Sequence, residues 1–343
     1  MLIIATIAPK TDDGQIKKII LAGADALRFN FFYDTIEKNL ELIQRSENII
    51  DELNSKTKIF IELPLNKISL GDFDLKIFAV KENDELIFQS APFSPDCHEF
   101  IPVDLPYLGE QVKINQTISL ANGKISMQVL EVINRDTIKI KILNNGAIKA
   151  MQTFNNGTFL PDTIMIEEYK KIIKNTENFP IRFLAIPYIS EDFINTIKKN
   201  GLLDSVNSKI KRVLNIEREI SDAEIEALCK DQSFNIINID RGELGVNMPF
   251  EKYGIYQKKI IQIAKKHNKK LFFCSHILPS IIDNFIPTRS DIADLTYIAC
   301  ENIAAGIIFS KETGASNRPA YAIHTARKII NEVEKTKKIN GSC

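Results

Sequence analysis

Between Asn235 and Glu251 a short apolar strand runs into Asp240-Arg241-Gly242-Glu243-Leu244-Gly245, and Met248-Pro249-Phe250 then opens a helix. Two acids, a base and a glycine therefore stand side by side at the carboxyl end of a buried strand. Barrel and doubly wound α/β enzymes keep their chemistry at such turns, because side chains and free backbone N–H groups converge there on one concave face. The N–H groups of Gly242 and Glu243, at the head of the helix leading into Val246, suit a carboxylate or a phosphate. A helix cap with a salt bridge accounts for the same residues without a ligand, and the residues alone leave both readings open.

Other constellations carry less. His98, His267, His276 and His324 fall in separate elements, and only His276 lies near this turn. No Gly-Lys-Ser/Thr or Gly-x-Gly-x-x-Gly phosphate loop occurs. Cys97, Cys229, Cys274, Cys300 and Cys343 are dispersed and odd in number, which argues against a disulfide framework and against a zinc site. Formal net charge is zero, there is no tryptophan and no long basic run, so neither nucleic acid nor an anionic membrane has an electrostatic footprint here. A small-molecule ligand is favoured. Met1 to Pro9 is too short an apolar run for a signal peptide, and a cytoplasmic location is expected.

The elements that would position the turn are β-rich runs alternating with helical patterns, the mark of parallel βα units. Eight runs fit: Leu2–Ala5, Asp25–Asn30, Lys58–Leu63, Arg182–Pro187, Arg212–Glu217, Asn235–Asp240, Lys270–Ser275 and Ala305–Ser310. Helical patterns follow at about 12–22, 34–53, 166–176, 190–201, 222–231, 250–268, 289–302 and 318–336. The expected fold is α/β, a (β/α)8 TIM barrel over 1–70 and 150–343. Residues 71–149 break this rhythm with short alternating segments and Gly, Asn, Asp and Pro turns, which predicts an inserted small antiparallel β domain.

Several segments carry a resemblance. Arg241-Gly242-Glu243-Leu244-Gly245-Val246-Asn247-Met248-Pro249 resembles the Arg-Gly-Asp-Leu-Gly-Val-Glu-Ile-Pro signature of the pyruvate kinase family. Ala5-Thr6-Ile7-Ala8-Pro9, Arg28-Phe29-Asn30-Phe31, Ser275 to Ile281, Pro287-Thr288-Arg289-Ser290-Asp291-Ile292-Ala293-Asp294 and Ser310-Lys311-Glu312-Thr313 resemble further family segments, in the same order. The resemblance implies Mg²⁺ or Mn²⁺ on Glu217 and Glu243, a phosphoryl contact from Arg28, and a substrate carboxylate held by Arg241, Gly242, Glu243 and Ser275. It implies catalytic positions at Arg28, Asn215 and Ser275, a monovalent-cation ligand in Asn30, and a role for the inserted domain as a lid. Family members continue into a further α/β domain that helps build a tetramer and holds an effector site. Nothing in this sequence corresponds to it, so a monomer or dimer without such control is expected.

Departures from the pattern are concentrated. Asn215 stands where the family has the lysine that bridges the transferring phosphoryl group, and positive charge there is central to phosphoryl transfer. Phe32, Glu62 and Leu63 replace a serine, an aspartate and a threonine of the potassium site, which argues against potassium activation. Ser69 replaces an arginine that contacts nucleotide, Pro64-Leu65 a Lys-Gly pair, Ile186-Pro187 a Ser-Phe pair, and Ala121-Asn122-Gly123 an Asp-Asp-Gly; nucleotide binding is weakened accordingly. Asp240 stands where the family has a small alanine, opposing anion binding unless Arg241 neutralises it. What persists suits a divalent metal with phosphoenolpyruvate, pyruvate or a related oxo acid or enolate, with ADP phosphorylation weak or lost. The alternatives are a non-catalytic ligand-sensing or interaction subunit, and an active pyruvate kinase with a rearranged site in which Lys209, Lys211 or Arg212 supplies the charge.

Overall fold

The computed structural model describes residues 1–65, 68–121, 123–155 and 162–340; Asn122 of the Ala121-Asn122-Gly123 turn and Cys343 lie outside them. Eight strands, β1 (Leu2–Thr6), β2 (Ala26–Asn30), β3 (Lys58–Glu62), β4 (Ile181–Pro187), β5 (Lys211–Ile216), β6 (Ile236–Asp240), β7 (Lys270–Cys274) and β8 (Ala304–Phe309), form a closed parallel barrel. Each strand pairs with its neighbours in the chain, and β8 returns to β1 from Leu2↔Gly306 to Ala5↔Phe309. The helices are α1 (Asp13–Leu21), α2 (Ile36–Glu52), α3 (Asp162–Thr176), α4 (Glu191–Lys199), α5 (Asp222–Lys230), α6 (Arg241–Val246), α7 (Phe250–Lys266), α8 (Arg289–Cys300), α9 (Lys311–Gly314) and α10 (Pro319–Asn340).

Local chemistry starts these helices where the sequence asks. Asp12 with Gln15, and Ser221 with Glu224, form reciprocal capping boxes that satisfy orphan N–H groups at the heads of α1 and α5. In α7 the buried positions Tyr256, Gln257, Ile260, Ile261 and Ala264 recur at three- and four-residue spacing, so one stripe faces the barrel. Burying Ile260 and Ile261 contributes about 1.5–3 kcal/mol each.

Strand alternation builds the barrel interior in layers. Phe60, Phe183 and Phe272 meet there at centroid distances of 5.6, 5.5 and 6.3 Å, packed with Ile4, Ala26, Ala185, Val213, Ile236 and Ile308. Ala26 and Ala185 leave the volume that three phenylalanines need. Gly306 is required for the same reason, since a Cβ on it would lie 3.0 Å from the Phe272 ring and 3.1 Å from the Leu2 carbonyl oxygen. Two residues further along six of the strands, on the same face, stand Thr6, Arg28, Glu62, Asn215, Asn238 and Cys274. An apolar layer thus supports a polar one at the carboxyl ends of the strands.

The chain divides into two compact units, Met1–Leu65 with Ile166–Cys343, and Asn66–Met165. The second is wider than the 71–149 expected from sequence, because its flanks pair within it: Ser69 bridges Thr153, Leu70 bridges Val103, and Phe154–Asn155 pairs with Thr117–Leu120. Its six-stranded sheet runs Phe154–Asn155, Thr117–Leu120, Ile125–Val132, Thr137–Ile142, Glu85–Ser90, Ile101–Val103. The expectation of a purely antiparallel domain is corrected at two places. Glu85–Ser90 and Ile101–Val103 are parallel, because the proline-containing stretch 91–100 between them crosses over rather than forming a hairpin, and Asp72–Phe73 and Phe93–Ser94 are parallel as well. Among the described residues no helix is long and apolar enough to cross a membrane.

Candidate functional site

Arg28, on β2, is the cation at the centre of the polar layer and is 4% exposed. Its Nε donates to Glu62 Oε2 at 2.7 Å, Nη2 to Glu62 Oε1 at 2.6 Å, and Nη1 to Thr6 Oγ1 at 2.7 Å. The strand register explains the fork: Arg28 pairs with Phe60 and Asn30 with Glu62, so Glu62 points to the same interior face one pleat further on. Burial alone lowers the guanidinium pKa, but the Glu62 carboxylate outweighs it and holds the pKa well above its ordinary value. Asn30 Nδ2 also donates to Glu62 Oε1, at 2.9 Å, and Asn30 Oδ1 accepts from the Phe32 N–H. Both ends of the Asn30 amide are engaged. The carboxylate that the resemblance assigns to a monovalent cation is committed to an arginine.

On β5, Asn215 is fully buried and neutral. Its Nδ2 donates to Glu217 Oε1 at 3.3 Å, and its Oδ1 accepts from Asn238 Nδ2 at 3.0 Å. Asn238 Oδ1, also buried, has no donor among the described residues. Lys211 opens β5, and Arg212 Nη1 donates to the Leu203 carbonyl. Three or four residues of strand rise put both at about 10–13 Å along the strand from Asn215, at its amino end, and neighbouring cations along the chain do not fill the gap. Glu217 is 7% exposed and Glu243 half-buried. Asn247 Nδ2 bonds both of their backbone carbonyls at 3.0 Å, drawing the end of β5 against the last turn of α6. The bond joins the two backbone segments, and each segment carries one carboxylate, a hard oxygen donor.

In the turn after β6 the anion-binding groups have an internal partner. Asp240 caps α6: its Oδ1 accepts from the N–H of Gly242 at 3.1 Å, the N–H of Glu243 at 3.3 Å and Ser275 Oγ at 3.2 Å. Gly242 is needed for this approach, since a Cβ there would lie 3.2 Å from the Ser275 side chain. Ser275 Oγ also lies 2.9 Å from Ser310 Oγ. Ser275 and His276 are both left-handed, at φ 68° and 53°, a conformation costly for residues with a Cβ. Arg241 over-determines it. Its Nε donates to the Ser275 carbonyl at 3.0 Å, Nη2 to the His276 carbonyl, and Nη1 to both oxygens of Asp294 on α8 at 3.0 and 2.8 Å. Burial, with Arg241 and Lys311 nearby, lowers the His276 pKa. Burial and Asp240 keep the Cys274 thiol protonated. Glu312 is buried with its carboxylate on the Ser310 N–H at 2.9 Å; burial raises its pKa more than its backbone donors lower it.

Of the predicted residues, Arg28 and Asn30 meet through Glu62, Asn215 touches Glu217, and Gly242, Glu243 and Ser275 meet on Asp240. Arg241 faces the loop carbonyls and Asp294, so it does not neutralise Asp240. The cap and salt bridge, one of the two readings open from sequence, are both present in this turn. Thr6, Asn247, Asp294 and Ser310 lie in segments that carry the resemblance but had no role assigned from sequence, and Asn238 was not named there. Thr6 and Asn238 follow Ile4 and Ile236 by two residues on the inner face, a signal that alternation makes available. Asp294 lies 53 residues from its partner and has no local signal.

A closed (β/α)8 barrel with a polar cluster at the carboxyl ends of its strands defines the class, since that face carries the active sites of such barrels. Residues 1–323 match the family described as pyruvate kinase, barrel domain, and the chain belongs to the pyruvate kinase family. It is 27% identical over 348 residues to a pyruvate kinase of Buchnera aphidicola subsp. Schizaphis graminum, covering 99% of this chain and 71% of that protein. A pyruvate kinase of Thermotoga maritima is 26% identical over 340 residues, covering 97% of this chain and 71% of that protein. A crystal structure of a pyruvate kinase from Cryptosporidium parvum superposes with a TM-score of 0.82 at 22% identity, covering 97% of this chain and 69% of that one.

Proposed function

We propose that this chain binds Mg²⁺ or Mn²⁺ through Glu217 and Glu243, together with an oxo acid or enolate of the pyruvate or phosphoenolpyruvate type. Phosphoryl transfer to ADP is weak or lost. The observation that carries this reading is Asn215: a neutral amide hydrogen-bonded to Glu217 and Asn238 stands where the resemblance requires a lysine. Removing one preorganised electrostatic contact to a transition state costs about 10²–10³ in rate. A bound divalent ion supplies Lewis-acid stabilisation of an enolate oxygen. The chain's own groups do the rest: Asn215 orients the Glu217 carboxylate, Asn247 ties the two glutamate segments together, and Ser275 holds a hydroxyl on Asp240, the cap of the turn that carries Glu243. Potassium has no role in this reading, because Asn30 and Glu62 are engaged with each other and with Arg28.

Calorimetric titration of oxalate, a planar enolate mimic, with and without Mn²⁺ tests it, beside a coupled assay for pyruvate formation from phosphoenolpyruvate and ADP. Metal-dependent oxalate binding that is lost in Glu217→Gln, with little or no pyruvate formed, is the expected result. Absence of any metal-dependent binding sinks the metal reading. The closed Arg28–Glu62 pair favours a second reading, a ligand-sensing protein without turnover, for which replacement of Glu217 and Glu243 leaves function intact.

A further inference from the structure

We infer that Glu62 sets the ligand class of this site: it holds Arg28 in a closed ion pair, excludes phosphorylated ligands, and leaves the mouth to small unphosphorylated acids. The inference narrows the reading above to its unphosphorylated acids, pyruvate rather than phosphoenolpyruvate; it rests on that reading for the identity of the acid and on the Arg28 geometry for the exclusion. The side edge of the guanidinium, Nε and Nη2, is taken by the two oxygens of one carboxylate at 2.7 and 2.6 Å, and Nη1 by Thr6. A guanidinium grips two oxygens of a phosphoryl group by its side edge or its end edge; here Glu62 fills the side edge and Thr6 engages Nη1 of the end edge. Both side chains are withdrawn from solvent, at 5% and 6% exposure. A dianionic phosphate reaching Arg28 must expel Glu62 and leave its carboxylate buried without its partner, which weakens binding about a hundredfold or more.

The side-chain length decides this. Arg28 and Glu62 are diagonal neighbours across β2 and β3, with Arg28 registered on Phe60, so the acid must reach back one pleat to cover both nitrogens while still accepting from Asn30. Glutamate spans that gap, and an aspartate is one methylene short. An ion pair with a purely structural role would stabilise the barrel without distinguishing one ligand from another. Selectivity therefore separates the two roles.

The test compares wild type, Glu62→Gln and Glu62→Asp by titration with oxalate and with phosphoglycolate, both with Mn²⁺, and by thermal shift in inorganic phosphate without metal. Wild type is expected to bind phosphoglycolate at least 100-fold more weakly than oxalate. Glu62→Gln gains at least tenfold for phosphoglycolate while oxalate changes less than threefold, and inorganic phosphate raises its melting temperature but not that of wild type. Glu62→Asp keeps the charge, protects the fold if the amide does not, and shows the same gain in smaller measure. Equal phosphate responses in wild type and a folded variant, or wild type binding both acids alike, overturn the inference. Loss of oxalate binding in wild type sinks the oxo-acid reading instead and leaves the phosphate comparison to decide the role of Glu62.

Discussion

Arg241→Met removes the fork that holds the mouth while keeping the length and apolar stem of a side chain that is 5% exposed. Two charge-assisted bonds to the carbonyls of Ser275 and His276 are lost, each contributing about 1.5–3 kcal/mol. The ion pair to Asp294 counts for less, because that carboxylate is 37% exposed and is rehydrated when its partner goes; its share is under about 1 kcal/mol. Against these losses, Ser275 and His276 become free to leave the left-handed region, which returns about 1–2 kcal/mol for each residue that relaxes. The balance is a net loss of about 2 kcal/mol, a sizeable fraction of the stability of an ordinary domain. Urea unfolding followed by circular dichroism should show the midpoint falling by about 1 M, at the slope expected for a protein of this size. Asp294→Asn, as the control, should cost under about 1 kcal/mol. An Arg241→Met midpoint indistinguishable from wild type, or an Asp294→Asn loss as large as that of Arg241→Met, refutes the assignment of the fork to the loop carbonyls.

Restoring charge at the polar layer is a gain-of-function test. Asn215→Lys should raise pyruvate formation above wild type by about tenfold or more, reaching about 10²–10³ only when combined with Glu62→Asp; wild-type turnover that Asn215→Lys abolishes would contradict the reading of Asn215. For Glu312 the folded-state pKa is raised by burial, so the folded protein binds the proton more tightly than the unfolded chain. Stability should therefore fall as pH rises from the ordinary carboxylate range through the folded-state value and level off above it, a slope that Glu312→Gln should remove in pH-dependent denaturation. Gly306→Ala presses a methyl against Phe272 and the backbone of Leu2, and calorimetric melting should report a loss of about 1–3 kcal/mol.

The barrel was legible because period-two strands and helical stripes each report one burial face. Predicted Arg212–Glu217 and observed Lys211–Ile216 differ by a single residue at each end, the usual uncertainty of an element boundary. The inserted unit was legible as β-rich but not in its pairing. Two-residue strands such as Asp72–Phe73 carry no local mark of the parallel partner they find at Phe93–Ser94. Within the site, residue types were readable and commitments were not. Arg28 and Glu62 were each noticed, yet that they close on one another depends on the register of β2 on β3 and on one methylene of side-chain length. Asp240 reads from sequence as a charge opposed to an anion; folded, it is the acceptor for the very N–H groups that made the turn interesting.

Thr6 stands on the first strand, and its hydroxyl does two things at once: it accepts from Arg28 Nη1 and donates to the carbonyl of Phe309 on the last strand at 2.6 Å. Thr313 Oγ1 in turn donates to the Thr6 carbonyl at 3.0 Å. Arg28, Asn30 and Glu62 lie close together in the chain, but the segment that holds them cannot by itself shut water away from the ion pair. Its desolvation waits for the strand that arrives some 300 positions later. The charge arrangement of the mouth is therefore completed by ring closure, when β8 meets β1, rather than by the segment that carries the charges.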